Sequence, residues 1–225
     1  MNWFASVYRS AVGKKAAMAI SGIVLFGFVF THMTGNLKVF QGAEKFNAYA
    51  EWLREIGAPL LPHSGMLWIL RIGLLAAVVI HIASAIALVR LARKARPEGY
   101  RRRDAVQMDY AVRTMRWGGV LIALYVVYHL MHLTFGNVHG DFIPGDVYHN
   151  VVTAFQNPLV AGVYAIANLA LGFHLYHGLW SLFQSLGWNH PRFNPWRRAF
   201  ATAFAVIVTV GFISVPLAVL TGLVS

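Results

Sequence analysis

Long apolar stretches alternate with shorter polar ones along the chain, and this alternation predicts its elements. Five apolar runs stand out, at about 15–34, 66–90, 116–135, 158–187 and 199–223. Crossing the ~30 Å hydrocarbon layer takes about 20 helical residues at ~1.5 Å each, so each run is long enough to span a bilayer. The fourth opens on Asn157-Pro158, a favourable start because proline at the first helical position has no N–H to lose. The fifth contains Pro216, which is expected to kink it or end its regular part. The connections are short, and no internal repeat or low-complexity tract is evident. The pattern therefore predicts one all-α membrane domain over residues 1–225, with five transmembrane helices.

Composition agrees. Hydrophobic residues make up 58% of the chain and charged ones 12%, against about half and a quarter in soluble domains. The net charge of +11 raises nucleic acid as a partner, but the basic residues lie between the apolar runs rather than on one folded face. Their distribution predicts orientation instead. Arg9, Lys14 and Lys15 precede span one, nine Lys and Arg lie from Arg90 to Arg116, and Arg192, Arg197 and Arg198 join spans four and five. The other two links hold a balanced set or no positive charge at all. The positive-inside rule puts the N-terminus in the cytoplasm and the C-terminus outside. The basic run at 90–116 suits lipid headgroups, with docking of a cytoplasmic partner as a compatible second use. The N-terminal apolar run is too long for a signal peptide and closes on no small-residue cleavage site, so it is expected to be retained.

The chain has no cysteine, which excludes disulfides, thiolate metal sites, iron–sulfur ligation and c-type haem attachment by this chain. Histidine carries the candidate chemistry. His63, His139, His149 and His190 fall in links, where solvated side chains are expected. His32, His81, His129, His132, His174 and His177 fall inside spans one to four. A titratable group inside a membrane is costly and points to function, although a neutral imidazole bonded to a neighbouring helix is the plain alternative for any one of them. Counting along the predicted spans sorts the six by depth. Spans one and three supply an outer layer, His32 with His129 and His132. Spans two and four supply an inner layer, His81 with His174 and His177. Facing imidazoles at matched depth, twice, are what two bis-histidine b haems require. Zinc or copper would instead gather three or four donors at one point. A proton relay would usually add acids within the spans, and all eight Asp and Glu lie outside the apolar runs. Gly22, Gly27, Gly73, Gly118, Gly119 and Gly172 could let a flat macrocycle approach the backbone or could simply pack helices. Arg71, alone at the outer end of span two, would meet an outer propionate or snorkel to the headgroups. Lys14, Lys15, Arg90 and Arg116 suit inner headgroups better than propionates.

The sequence resembles a known family. Span one ends in FTHMTGN, followed by QGAEKFNAYAEWL, and span four reads FHLYHGLWSLFQSLGW. Together these segments resemble the cytochrome b membrane anchor of succinate dehydrogenase and fumarate reductase, in its single-subunit, five-helix, dihaem form, over nearly the whole chain. The resemblance implies that His32 in THMTGN, His81 in VVIHIAS, His129 in YVVYHLMH and His174 in GFHLYHGLWS are the axial ligands. His81 and His174 would hold the haem nearer the cytoplasm, and His32 and His129 the outer one. Crude depth slightly favours His132 and His177 instead. By the motif these two sit one turn along, as contacts of a haem edge, a propionate or a quinone.

It further implies a multi-pass subunit of respiratory complex II in a bacterial cytoplasmic membrane, serving the tricarboxylic acid cycle. Its partners would be a flavoprotein and an iron–sulfur subunit. It would take electrons from succinate to a quinone, often menaquinone in this architecture, without performing succinate chemistry itself. Some members carry a glutamate two residues before the fourth-helix ligand for transmembrane proton transfer; Gly172 stands there in this chain. Trp180, Ser181 and Gln184 could line a quinone or subunit contact, or Trp180 could simply pack. The competing readings are the haem b subunit of a formate dehydrogenase or hydrogenase, against which the GAEKFN and GLWS stretches speak, and a non-haem transporter or structural anchor.

Overall fold

The computed structural model describes residues 10–95, 110–188 and 190–225, with side chains of the third span described from Met115 onward. Arg9 and the RRR stretch at 101–103, which entered the charge argument, lie outside the described residues. The described residues form helices, turns and loops, with no strand among them. Helix α1 (Ala11–Asn36) starts at Ser10, whose hydroxyl accepts the Gly13 N–H at 2.9 Å. A 3-10 turn (Leu37–Gln41) and Gly42, at φ 88°, redirect the chain into α2 (Ala43–Glu55). Helix α3 spans Gly65–Ala95. Helix α4 (Tyr110–His129) continues through a π-helical turn, Leu130–Thr134, closed by the Phe135 N–H donating to the Leu130 carbonyl at 2.9 Å. The short α5 (Val147–Gln156) is capped by Asp146, and α6 (Pro158–Ser185) by Asn157, whose side chain accepts the Leu159 N–H. Helix α7 covers Asn194–Leu220.

Five of these, α1, α3, α4, α6 and α7, are long and apolar enough to cross a membrane. Most of their apolar surface faces outward. Only 11% of the α3 window and 6% of the α4 window is buried within the protein, as suits side chains whose solvent is lipid rather than water. The remaining helices, α2 and α5, lie in links that sequence reading left without structure. They gather at one end of the bundle, the capped end. The opposite, basic end carries Lys14, Lys15, Arg90 and Arg192.

Small residues set how the spans meet, since lipid tails supply no hydrophobic drive for helices to associate and close backbone approach does so instead. Helix α1 packs on α3, α4 on α6, and α6 on α7; α1 also touches α6 and α7. Buried Ala77 and Ser84 lie on α3, and buried Ala201 and Ala205 on α7. Gly172 of α6 faces Thr209 of α7 so closely that a Cβ there would overlap the Thr209 hydroxyl. The helix continues through Pro216 to Leu220, so that proline, buried in the core, does not end it. At the capped end Val39, Phe46, Val151, Val152, Phe155, Tyr164 and Val219 share a core. Asn47 fastens this cap: its amide donates to Asp146 Oδ1 at 2.9 Å and its carbonyl accepts the Tyr148 N–H at 3.0 Å. The FN of GAEKFN is thus a buried core residue followed by a clamp on α5.

Candidate functional site

The packing leaves α1 and α4 meeting through two rings rather than through their backbones, and likewise α3 and α6. His32 (α1) faces His129 (α4) with ring centroids 5.9 Å apart and an interplanar angle of 77°. His81 (α3) faces His174 (α6) at 6.2 Å and 62°. No hydrogen bond joins the rings of either pair.

The two pairs form layers. Gly22 of α1 lies against His81, its added Cβ falling 3.5 Å from His81 Cε1, and Gly119 of α4 lies against His174 at 3.9 Å. Gly22 and His32 are ten residues apart, and so are Gly119 and His129, which at ~1.5 Å per residue separates the layers by about 15 Å. The same device therefore occurs twice, once on α1/α3 and once on α4/α6, although the sequence shows no repeat. Each pair takes one ring from each copy.

One ring of each pair is held by a hydrogen bond. His81 Nδ1 meets the Met18 carbonyl at 3.2 Å and the Ser21 hydroxyl at 3.4 Å. The Ser21 hydroxyl turns its own proton toward the Ala17 and Met18 carbonyls. The Met18 carbonyl can only accept, so it keeps the His81 proton on Nδ1 and leaves Nε2 as a bare lone pair. A metal-binding histidine is oriented in this manner. His129 Nδ1 lies 3.3 Å from the Tyr164 hydroxyl. His174 Nδ1, by contrast, is buried with no partner in the protein, an arrangement that costs free energy unless something outside the chain compensates it. His32 is positioned by stacking on Phe28 at 5.2 Å. Among the described residues no three His, Asp or Glu converge on a common point, so the donors come in pairs.

The other candidates separate from the pairs. His132 is buried and turned away from His32, with Nδ1 3.0 Å from the Tyr164 hydroxyl and its ring stacked on Tyr128 and His139. His177 is half-buried one turn beyond His174. Arg71 is exposed, with its guanidinium 5.0 Å from the Trp68 ring centre. Gly27, Gly73 and Gly118 face open space, whereas Gly172 serves the α6/α7 contact. Trp180 packs under the buried Arg197, 5.1 Å from its ring centre, and Arg197 also donates to the Trp188 carbonyl and to Asn194 Oδ1. Gln184 is exposed and Ser181 half-buried. Of the link histidines, His63 bonds Glu51 at 2.9 Å, and His149 bonds Asp141. His139 is not a solvated link residue: its loop folds back so that the ring lies on His132, and Nε2–H donates to the Asn150 carbonyl at 2.9 Å.

Sequence reading missed Tyr164, the Met18 carbonyl and His139. Tyr164 looks like one more aromatic in an apolar run, and only the facing helix gives its hydroxyl partners. A backbone carbonyl leaves no trace in a sequence.

The chain was compared with models of known families, with curated proteins and with solved structures. It matches none of them.

Proposed function

We infer that this chain is a dihaem cytochrome b that anchors a succinate:quinone oxidoreductase in the membrane. The observation that carries the reading is the pair of facing imidazole pairs, in two layers, on apolar helices. Ring centres 5.9 and 6.2 Å apart, with no hydrogen bond between the rings, would let His32 with His129, and His81 with His174, each hold one haem iron between them. The plain alternative, an imidazole bonded to a neighbouring helix, accounts for His81 on the Met18 carbonyl and His129 beside Tyr164, but not for His32 and His174, which face those rings without a hydrogen bond. The Met18-tethered His81, with its Nε2 left bare, gives further support.

In this reading His81 and His174 hold the haem nearer the cytoplasm, and His32 and His129 the outer one. When bound, the two haems supply one-electron transfer between an iron–sulfur subunit and a membrane quinone. The chain's own residues hold the four imidazoles as two facing pairs on apolar helices, and the Met18 carbonyl keeps the His81 Nε2 lone pair bare. The basic end faces the cytoplasm, where the flavoprotein and iron–sulfur subunits dock, and the capped end faces outward. The motif resemblance supplies the succinate assignment and the bacterial inner-membrane location, with menaquinone as the expected quinone.

Reduced-minus-oxidised spectroscopy and haem quantification on the purified complex test the reading. Two b-type haems per chain are expected. Single changes of His32, His81, His129 and His174 to alanine should each leave one, while His177→Ala leaves two. Colourless protein from haem-replete cells would falsify the assignment.

A further inference from the structure

The capped-end layer contains a second histidine that competes to be a ligand, and one hydroxyl lies between the two. Tyr164 is buried at 4% exposure and held edge-on by Phe155 at 4.9 Å and Tyr125 at 5.2 Å. Its oxygen sits 3.3 Å from His129 Nδ1 and 3.0 Å from His132 Nδ1. A phenol carries one proton. It can donate to one of these nitrogens and must accept an N–H from the other, so the two imidazoles hold opposite tautomers. The one that donates Nδ1–H to Tyr164 has a bare Nε2 and can bind a metal, and the other carries its proton on Nε2 and cannot.

Three further observations set the direction. The ring that faces His32 is His129. The shorter of the two contacts is to His132, which suits the phenol as donor there. His132 is also clamped between Tyr128 at 5.2 Å and His139 at 4.9 Å, both stacked on it. The clamp is itself fixed: His139 Nδ1 accepts the Asp141 N–H at 3.1 Å, and Asn150 holds the loop by bonds to both the Ile143 N–H and its carbonyl at 2.8 Å.

We propose that Tyr164 is a positioning residue that selects His129 over His132 as the outer ligand, by donating its one proton to His132 and accepting the His129 Nδ1–H. This rests on the dihaem reading and extends it. A hydrogen bond accepted from a ligating imidazole raises that ligand's basicity and favours ferric iron. Tyr164→Phe keeps the ring and removes only the hydroxyl.

The test uses the assembled complex, with haem counting, low-spin ferric electron paramagnetic resonance and a redox titration. Tyr164→Phe should retain two haems and leave the inner haem's signal and potential unchanged. The outer haem should shift to a more positive potential, with a several-fold larger reduced fraction at a fixed potential, and its resonance should move. Should that variant not assemble, His132→Phe keeps the stack but frees the Tyr164 proton for His129, and again only the outer signal should change. Wild-type signals and potentials in either assembled variant overturn the proposal, as does an equal shift of both haems, which would mean a general packing effect. Wild-type protein without haem would instead sink the dihaem reading, and this proposal with it.

Discussion

Gly172 stands two residues before His174 and packs against Thr209, so its replacement tests whether the α6/α7 contact holds the inner pair in register. Alanine at 172 gains about 0.5–1 kcal/mol of helix preference over glycine. Its Cβ, however, would overlap the Thr209 hydroxyl and touch the Thr209 Cβ at 3.4 Å, and overpacking of this sort costs about 1–3 kcal/mol. The expected net loss is about 0–2.5 kcal/mol, which for a chain of this length lowers the unfolding midpoint by about 2–4 °C per kcal/mol. Thermal unfolding in mild detergent, followed by circular dichroism, measures it. The cause is isolated by a double-mutant cycle with Thr209→Ala, which removes the obstructing hydroxyl. The two changes should couple by about 0.5–3 kcal/mol, as contacting residues do. If the inner pair holds a haem as proposed, the Gly172→Ala protein should retain it less well and the double variant should recover it. If Gly172→Ala costs the same with and without Thr209→Ala, the close approach of these helices is not what holds the position. A glutamate at 172 would meet the same obstruction, together with the cost of an acid inside the membrane.

Other outcomes follow from the site and the cap. Gly119→Leu should drive side-chain atoms onto the His174 ring and, on the dihaem proposal, lower haem content from two per chain toward one, while Gly27→Ala, which faces open space, leaves it unchanged. Asn47→Ala removes two hydrogen bonds, one of them to a carboxylate, and should destabilise the cap by about 1–3 kcal/mol, seen as faster amide hydrogen exchange across 147–156. Acid should act on the same place. The His149 N–H, and after it the Asn47 amide, holds the Asp146 carboxyl below its ordinary value of 3.8. Its contribution is therefore complete above about pH 4 and is lost as pH falls through the lowered value. Protection of the α5 amides, measured against the unfolded-chain exchange rate at each pH, should fall below that point in the wild type and respond less to pH in Asp146→Asn.

Much of this architecture was legible in the residues, and what escaped did so for identifiable reasons. The five spans were plain because nothing but a spanning helix explains runs of that length and hydropathy. Their ends were less so. Helix α3 runs on through RLARKA to Ala95, because Arg and Lys are good helix formers even where the apolar signal stops. Helices α2 and α5 went unseen, at 13 and 10 residues with one polar face each. In hindsight Asp146 before VYHNVV was a visible cap signal. Depth counting put the candidate histidines in two layers but leaned toward His132 and His177, one turn from the rings that face His32 and His81. Depth is a coarse coordinate, whereas the choice between neighbours depends on helical phase and on the π-turn at Leu130–Thr134, and neither is visible before the helices are placed. Tyr164 could not be found from sequence, since its hydroxyl gains meaning only across the α4/α6 contact.

The duplicated glycine-to-histidine device has a consequence for how the molecule comes together. The first hairpin owns His32 and His81, the second His129 and His174, and every facing couple draws on both. Neither hairpin alone is a one-cofactor miniature: each holds half of two grips and a whole of none. If each couple holds a cofactor as proposed, chain severed between α3 and α4 would stay empty as separate halves and fill both sites only when the halves rejoin, so cofactor capture would report on the docking of the hairpins rather than on the folding of either one.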